Sequence, residues 1–230
     1  MRKIVLILPM MLLLAASSMA QTSVELIPSV GYTFPAKNDF YNEYGRVAGG
    51  LNLGAQMNFN VTRSFGFELL YNHLSTSSGL YNYGFNGGGQ IAGGNLNQDY
   101  IMGGFVFSGT IPNSTVRPFL GILLGADILT PQAGANYSSE GHFAAGLQVG
   151  TNIYISPRVG IQLKAQFLSP VNSAGDAYYY GNYAGGINPN QSIYSFTLGG
   201  GLIIGLGQVL HDPVYRPARR PGPRHYRYYY

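Results

Sequence analysis

Strict alternation of apolar and polar residues is the feature that most constrains how this chain can fold. In residues 46–60 the odd positions include Val47, Leu51, Leu53 and Phe59, whereas the even positions are Arg, Ala, Gly, Asn or Gln. A period of two places successive side chains on opposite faces of a strand. Seven further segments repeat or approach the pattern: residues 22–34, 65–74, 99–109, 116–128, 142–155, 158–168 and 192–206. In residues 99–109 both faces are apolar, so the pattern does not assign an outward side there.

The connections between these predicted strands alternate in length. Four are long and rich in Gly, Asn and Tyr, namely residues 35–45, 80–97, 131–141 and 170–191, and three are short, namely residues 61–64, 110–115 and 156–157. Long extracellular loops that alternate with short periplasmic turns are typical of up-and-down outer-membrane barrels. We therefore predict an all-β fold, an up-and-down antiparallel transmembrane β-barrel of eight strands.

A soluble barrel with its polar face outside would show the same alternation. Charge density separates the two, because about a quarter or more of a soluble surface is charged. Only 10% of this chain is charged, and the polar faces consist mainly of Gly, Asn, Gln, Ser and Thr. Tyr and Phe fall near both ends of the predicted strands, as in the two aromatic girdles of barrels in lipid. Both features favour a polar interior and a lipid-facing exterior.

The N-terminal residues have the three regions of a signal peptide. Arg2 and Lys3 are basic, residues 4–14 are apolar, and Ser18-Met19-Ala20 fits the small-x-small cleavage rule. This apolar run is much shorter than the roughly 20 residues that a membrane-spanning helix needs. We expect residues 1–20 to be a signal peptide cleaved after Ala20, and residues 21–206 to form the barrel. Residues 207–230, rich in Arg, Pro and Tyr, are expected to form a disordered periplasmic tail.

The signal peptide, the alternating segments, the loop asymmetry and the run Arg117-Pro118-Phe119-Leu120-Gly121 together resemble the family of small OmpA-like and OmpX-like outer-membrane barrels. The resemblance covers residues 21 to about 206 and implies a location in the outer membrane. It also implies contact with outer-membrane lipid, and with the barrel-assembly machinery during biogenesis. Members usually end on an aromatic residue that closes the last strand. Here the predicted last strand ends near Leu206, and the tail follows it.

Charged residues on the polar faces predict an occluded lumen. Four of them fall in the lower and middle interior when positions are counted from the strand starts: Glu25, Glu68, Arg117 and Lys164. Because a buried charge needs a partner, we predict that they form a neutral ion-pair cluster that plugs the lumen. Arg46 and Asp127 are predicted to form a separate pair nearer the outer mouth.

The sequence contains no pattern that predicts catalysis, a cofactor or a resident metal. His73 and His142 lie near the predicted outer rim, close to Ser75 and Ser77, but no spacing matches a catalytic triad. The basic tail suits an anionic periplasmic partner, and an exported protein is not expected to meet nucleic acid.

The long loops carry tyrosines among Gly, Asn and Ser, a composition that antibody binding loops also use. The candidate contact residues are Tyr81, Tyr83, Tyr178, Tyr179, Tyr180 and Tyr183. We expect a non-enzymatic outer-membrane barrel with a structural or adhesive, surface-binding role and a possible extracellular ligand. A small-solute pore and a lipid-modifying outer-membrane enzyme are the alternatives.

Overall fold

A computed structural model describes residues 23–39, 43–83, 89–131, 139–170 and 194–206. The predicted signal peptide, the predicted tail and Tyr178, Tyr179, Tyr180 and Tyr183 lie outside the described residues. The strands, all paired antiparallel, are β1 (Ser23–Thr33), β2 (Ala36–Asp39), β3 (Glu43–Val47), β4 (Gly50–Asn60), β5 (Phe65–Asn82), β6 (Gln90–Ser108), β7 (Val116–Pro131), β8 (Glu140–Tyr154), β9 (Val159–Pro170) and β10 (Ser195–Leu206). Among the described residues, no helix is long and apolar enough to cross a membrane.

The strands β1 and β4 to β10 close into a barrel. Each pairs with the next in chain order, and β1 pairs with β10 from Val24↔Leu206 to Thr33↔Thr197. Closure gives every strand two neighbours, which is what lipid requires, because an unpaired backbone group in hydrocarbon costs several kcal/mol. The prediction of an up-and-down barrel of eight strands is confirmed.

Two predicted loops are largely strand. The predicted strand 46–60 breaks at Ala48 and Gly49, and β3 continues alongside residues 78–82 of β5. A Cβ at Gly49 would lie 2.8 Å from the Thr33 carbonyl oxygen, so the break needs glycine there. We call β2, β3, residues 75–82 of β5 and residues 90–97 of β6 the outer extension. It continues the barrel wall beyond the ends of β4 and β10.

The barrel exterior is a band of exposed apolar side chains. Leu51 is 60% exposed, Leu69 57% and Val149 55%. Soluble monomers rarely expose a continuous apolar surface of this kind, so the natural surroundings of this face are lipid. The sequence pattern did not assign an outward face to residues 99–109. In the structure, Ile101, Phe105 and Phe107 of β6 face outward and join this apolar band.

Aromatic rings mark both ends of the band. Near the short turns, Phe65, Phe67, Phe105 and Phe107 pack with ring centroids 5.2–5.8 Å apart. Toward the other end lie Tyr32, Phe34 and Phe196, and the stacked pair Phe167 and Tyr194. These two groups occupy the positions of the interfacial girdles of a barrel in lipid.

Candidate functional site

The four charged residues predicted for the lumen all face inward. Glu25 is 4% exposed, Glu68 1% and Lys164 7%, and Arg117 is half-buried. Glycines on neighbouring inward positions, such as Gly150 and Gly199, make room for long polar side chains at this level.

In the middle of the lumen, Glu68 is held by two amides. It accepts hydrogen bonds from Gln56 Nε2 at 2.8 Å and from Gln148 Nε2 at 2.7 Å. Lys164 attracts Glu68 electrostatically, although its Nζ makes no hydrogen bond within the described part of the chain. The acid and the base therefore sit in one polar group, in which the glutamines hold Glu68 and charge attraction alone links Lys164 to it.

Nearer the short turns, Glu25 and Arg117 meet through a phenol. The hydroxyl of Tyr154 donates to Glu25 Oε1 at 2.9 Å, and the Arg117 guanidinium carbon lies 5.7 Å from the centroid of the Tyr154 ring. The predicted single cluster is thus two groups at different depths. Among the described residues, Glu68, Arg117 and Lys164 make no direct ion pair.

An apolar cluster occupies part of the lumen beyond these groups, toward the outer mouth, alongside buried polar residues such as Asn72, Gln98 and Asp127. Its members are each at most 2% exposed: Leu70, Tyr100, Met102, Leu123, Ala144 and Leu168. This cluster was not predicted, because every inward-facing side chain was expected to be polar. The apolar residues on both faces of residues 99–109 were the one signal of it.

The predicted pair of Arg46 and Asp127 is wrong. Asp127 is fully buried on β7 and accepts a hydrogen bond from Gln98 Nε2 at 2.9 Å, whereas Arg46 is exposed on β3. Between β4 and β3 the register with β5 shifts by one residue, which turns Arg46 to the exposed face. Its partner Gly79 also lies seven residues along β5 beyond Asn72, which is level with Asp127 across β6.

The outer extension carries a group of tyrosines around one lysine, which we call the outer tyrosine site: Lys37, Asp39, Tyr44, Tyr81 and Tyr83. The rings of Tyr44 and Tyr81 are stacked with centroids 5.0 Å apart, and the ring of Tyr83 is also 5.0 Å from that of Tyr44. The Lys37 ammonium lies 4.5 Å from the centroid of the Tyr44 ring.

Hydrogen bonds lock the polar end of this site. Lys37 Nζ lies 2.8 Å from Asp39 Oδ1 and donates to the Tyr83 hydroxyl at 2.9 Å, and that hydroxyl donates to Asp39. The bonds from Lys37 and Tyr83 lower the pKa of Asp39, and the bond to Asp39 is the main cause that raises the pKa of Lys37. At neutral pH both groups are therefore charged and their charges cancel.

An open cleft of about 610 Å³ lies against the site. Its lining residues are Pro35, Ala36, Lys37, Tyr44, Arg46, Asn82 and Tyr83. Of the predicted contact residues, the structure brings Tyr81 and Tyr83 together, and it adds Tyr44. Tyr44 lies in the predicted loop of residues 35–45, and the strand register makes it the cross-strand partner of Tyr81.

The two histidines near the outer rim occupy different faces. His142 lies on the inward side of β8, where it pairs in register with Asp127. His73 faces outward on β5, and its Nδ1 lies 2.7 Å from Asp99 Oδ1. They therefore do not form one site.

No family profile matches this chain, and no curated protein matches it. Among solved structures, it is similar to Neisserial surface protein A (NspA) at 14% identity and a TM-score of 0.53, over 80% of this chain and 96% of that one. It is also similar to the outer membrane protein OprG from Pseudomonas aeruginosa, at 14% identity and a TM-score of 0.52, over 81% and 97%. The chain has the fold of the small eight-stranded outer-membrane β-barrels.

This fold, with its exposed apolar band, locates the protein in the outer membrane. In outer-membrane barrels the short turns face the periplasm and the longer connections face outside. The outer extension of this outer-membrane barrel therefore stands outside the cell, and the group of Glu25 and Tyr154 lies at the periplasmic end of the lumen.

Proposed function

We propose that this outer-membrane barrel is a non-enzymatic surface-binding protein, and that its outer tyrosine site holds an extracellular ligand by contact alone. The observation that carries the proposal is the stacked group of Tyr44, Tyr81 and Tyr83 beside an open cleft, raised above the membrane on paired strands.

The site suits binding because its side chains are already ordered. Tyrosine offers a large contact area with few rotatable bonds, so little entropy is lost when a ligand arrives. The stacked rings and the Lys37–Tyr83–Asp39 bonds fix these side chains before binding. Sites on strands are also more precise than sites on free loops.

The chemistry of the cleft favours a saccharide. Aromatic rings give flat apolar faces, Lys37 and Arg46 give donors, and the amide of Asn82 gives a donor and an acceptor. The Lys37–Asp39 pair carries no net charge. A sugar ring has matching apolar faces and a rim of hydroxyl groups. A saccharide on another cell surface would make this an adhesive role.

Two features support binding over the alternatives. Within its described residues, the outer tyrosine site brings no nucleophile and free base together, because its acid and its base are bonded to each other. The apolar cluster and the buried polar group around Glu68 occupy the lumen, which disfavours a pore. The barrel-assembly machinery and an anionic partner of the tail stay predictions.

Binding of whole cells to an immobilised glycan array tests the proposal. The variant Tyr44→Ala with Tyr83→Ala should lose at least tenfold of the signal on the saccharides that the wild type retains. Tyr194→Ala is the control, since Tyr194 is about as exposed as Tyr83 but lies in the aromatic girdle. Equal binding by the double variant and the wild type, at equal surface amounts, would rule out this site.

A further inference from the structure

The face of the outer extension that carries the outer tyrosine site also carries a second basic residue. Arg46 is exposed on β3 and is the cross-strand partner of Lys37 on β2. Like charges directly opposite each other on neighbouring strands destabilise a sheet. Asp39 offsets the charge of Lys37 at 2.8 Å, whereas Arg46 makes no ion pair within the described residues. The sheet therefore presents one positive charge beside the tyrosines that no acid in this part of the chain offsets.

Two glycines leave the surface next to Arg46 without side chains. The partner of Arg46 on β5 is Gly79, and the partner of Gly79 on β6 is Gly93. A Cβ at Gly93 would lie 2.3 Å from the Ser78 carbonyl oxygen, and the φ angle of Gly93 is 151°, which L side chains rarely adopt. The backbone of β6 therefore requires glycine at this position, and the space above it stays open.

These glycines lie at the base of a second cleft, of about 290 Å³, which we call the glycine cleft. Its polar side chains include the guanidinium of Arg46, the hydroxyl of Ser77 and the amide of Gln90, all on exposed residues. No carboxylate is among the described residues that line it. A guanidinium binds a carboxylate, sulfate or phosphate group through two parallel hydrogen bonds, and the hydroxyl and the amide are further donors. The lining therefore suits an anionic group.

Arg46 joins the glycine cleft to the outer tyrosine site. It lines both the glycine cleft and the larger cleft that Tyr44 and Tyr83 line. A ligand whose ring stacks on the tyrosines therefore extends a substituent toward the guanidinium. An exposed arginine alone holds an anion weakly, because water screens its charge. Two contacts on one ligand reinforce each other, so the aromatic and the basic group together bind more tightly than either does alone.

We propose that the glycine cleft binds the acidic group of a saccharide, a carboxylate, sulfate or phosphate, while the outer tyrosine site holds the sugar ring. This inference rests on the proposed function and narrows its ligand class from saccharides in general to acidic saccharides. Arg46 is the residue that sets the preference, because the charge of Lys37 is already offset by Asp39.

The test uses the full chain, folded in detergent micelles, on an array of hexose oligosaccharides. Each oligosaccharide is printed in a neutral form and in forms that bear one carboxylate, one sulfate or one phosphate. The readout is the ratio of acidic to neutral binding. We expect a ratio of at least about ten for one or more of the acidic forms, and the form with the highest ratio identifies the acidic group.

The variant Arg46→Gln should bring this ratio close to one. Arg46→Lys should keep only part of the preference, because an ammonium group cannot form the two parallel bonds of a guanidinium. Arg158→Gln is the matched control, since it removes the same charge from an exposed residue on the short turn between β8 and β9. It should keep the wild-type ratio. Gel mobility of unboiled samples shows that each variant is folded.

The outcomes separate this inference from the proposed function. A ratio near one for the wild type, or the wild-type ratio in Arg46→Gln, would overturn the anion site and leave the outer tyrosine site standing. Acid-dependent binding that survives in Tyr44→Ala with Tyr83→Ala but is lost in Arg46→Gln would do the reverse. If the folded wild type retains no oligosaccharide in any form, both are wrong.

Discussion

Glu68 lies almost without exposure in the barrel interior, where a carboxylate has lost its water and depends on donors from the protein. Gln56 and Gln148 supply two of these donors, and the charge of Lys164 supplies the attraction. Arg117 belongs to another group, because it lies over the ring of Tyr154. The two basic residues of the lumen are therefore not interchangeable as partners of Glu68.

Variants that lack Glu68 should show that Lys164, and not Arg117, is its partner. Glu68→Ala leaves Lys164 buried without its attracting charge, and we expect a loss of roughly 3–5 kcal/mol in the free energy of unfolding. Adding Lys164→Ala should restore part of the loss, whereas adding Arg117→Ala should not. Urea unfolding in lipid vesicles, followed by the gel mobility of unboiled samples, measures all three variants. Equal rescue by both second substitutions would contradict two separate groups.

The Lys37–Asp39 contact makes the outer extension sensitive to acid. The pKa of Asp39 is lower in the folded protein than in an unfolded chain, where it is about 3.9. The contact therefore stabilises fully above that unfolded value, and the stabilisation is lost as the pH falls through the lowered folded value. Near-ultraviolet circular dichroism of the tyrosines should change in this acid range. Asp39→Asn is the control, and it should remove the change below pH 4; an identical titration of this variant would show another origin.

For a single residue, the sequence predicts whether the side chain faces into the barrel, but not which side chains it contacts. A period of two is enough to turn Glu25, Glu68 and Lys164 inward. Their contacts depend on how the strands are staggered around the barrel, which brings Glu68 to Gln148 across 80 residues and Glu25 to Tyr154 across 129. Nothing within one strand carries that information. The predicted pair of Arg46 and Asp127 was wrong for the same reason, because the register between strands decides which residues meet.

At the element scale, two adjacent glycines of β6 differ in how much room they have. A Cβ at Gly104 would lie 1.9 Å from the Ile122 carbonyl oxygen of β7, whereas a Cβ at Gly103 would meet nothing closer than 3.6 Å. The close approach of β6 and β7 therefore requires glycine at Gly104 but not at Gly103.

The pair Gly104→Ala and Gly103→Ala tests this requirement. We expect Gly104→Ala to cost about 1–3 kcal/mol, because the strands must move apart to admit the methyl group. Gly103→Ala should change the free energy of unfolding by no more than about 0.5 kcal/mol. The same unfolding assay in vesicles compares them. A larger loss for Gly103→Ala would mean that β6 and β7 approach at a different register.

Strand positions were predictable from the sequence because each has its own alternation, but the outer extension was not. Residues 35–45 and 80–97 are rich in Gly, Asn and Tyr, which are typical of loops. They form strands because each finds a partner that the barrel already holds in place, as when Thr76 Oγ1 donates to the Ala48 carbonyl across the break at 2.6 Å. Pairing imposed by the neighbouring strands is a tertiary effect, and local composition does not report it.

At the scale of the whole molecule, the barrel has an apolar outside and a mixed inside. Lipid contact explains the apolar outside, which could be predicted from the low charge density of the chain. The inside combines buried polar groups with an apolar cluster, and both fill the lumen.

The filled lumen predicts that the protein does not conduct ions. Leu70, Leu123 and Leu168 pack in the lumen beyond the Glu68 group, and an ion that passed them would leave water and then meet that group. We expect no stepwise conductance from the wild type in planar bilayers. Leu123→Ala should also stay silent, because an apolar void of that size remains dry, although it should cost about 2–5 kcal/mol in stability. Discrete current steps from folded wild type would show that the lumen opens, and a small-solute pore would then become the better account of this barrel.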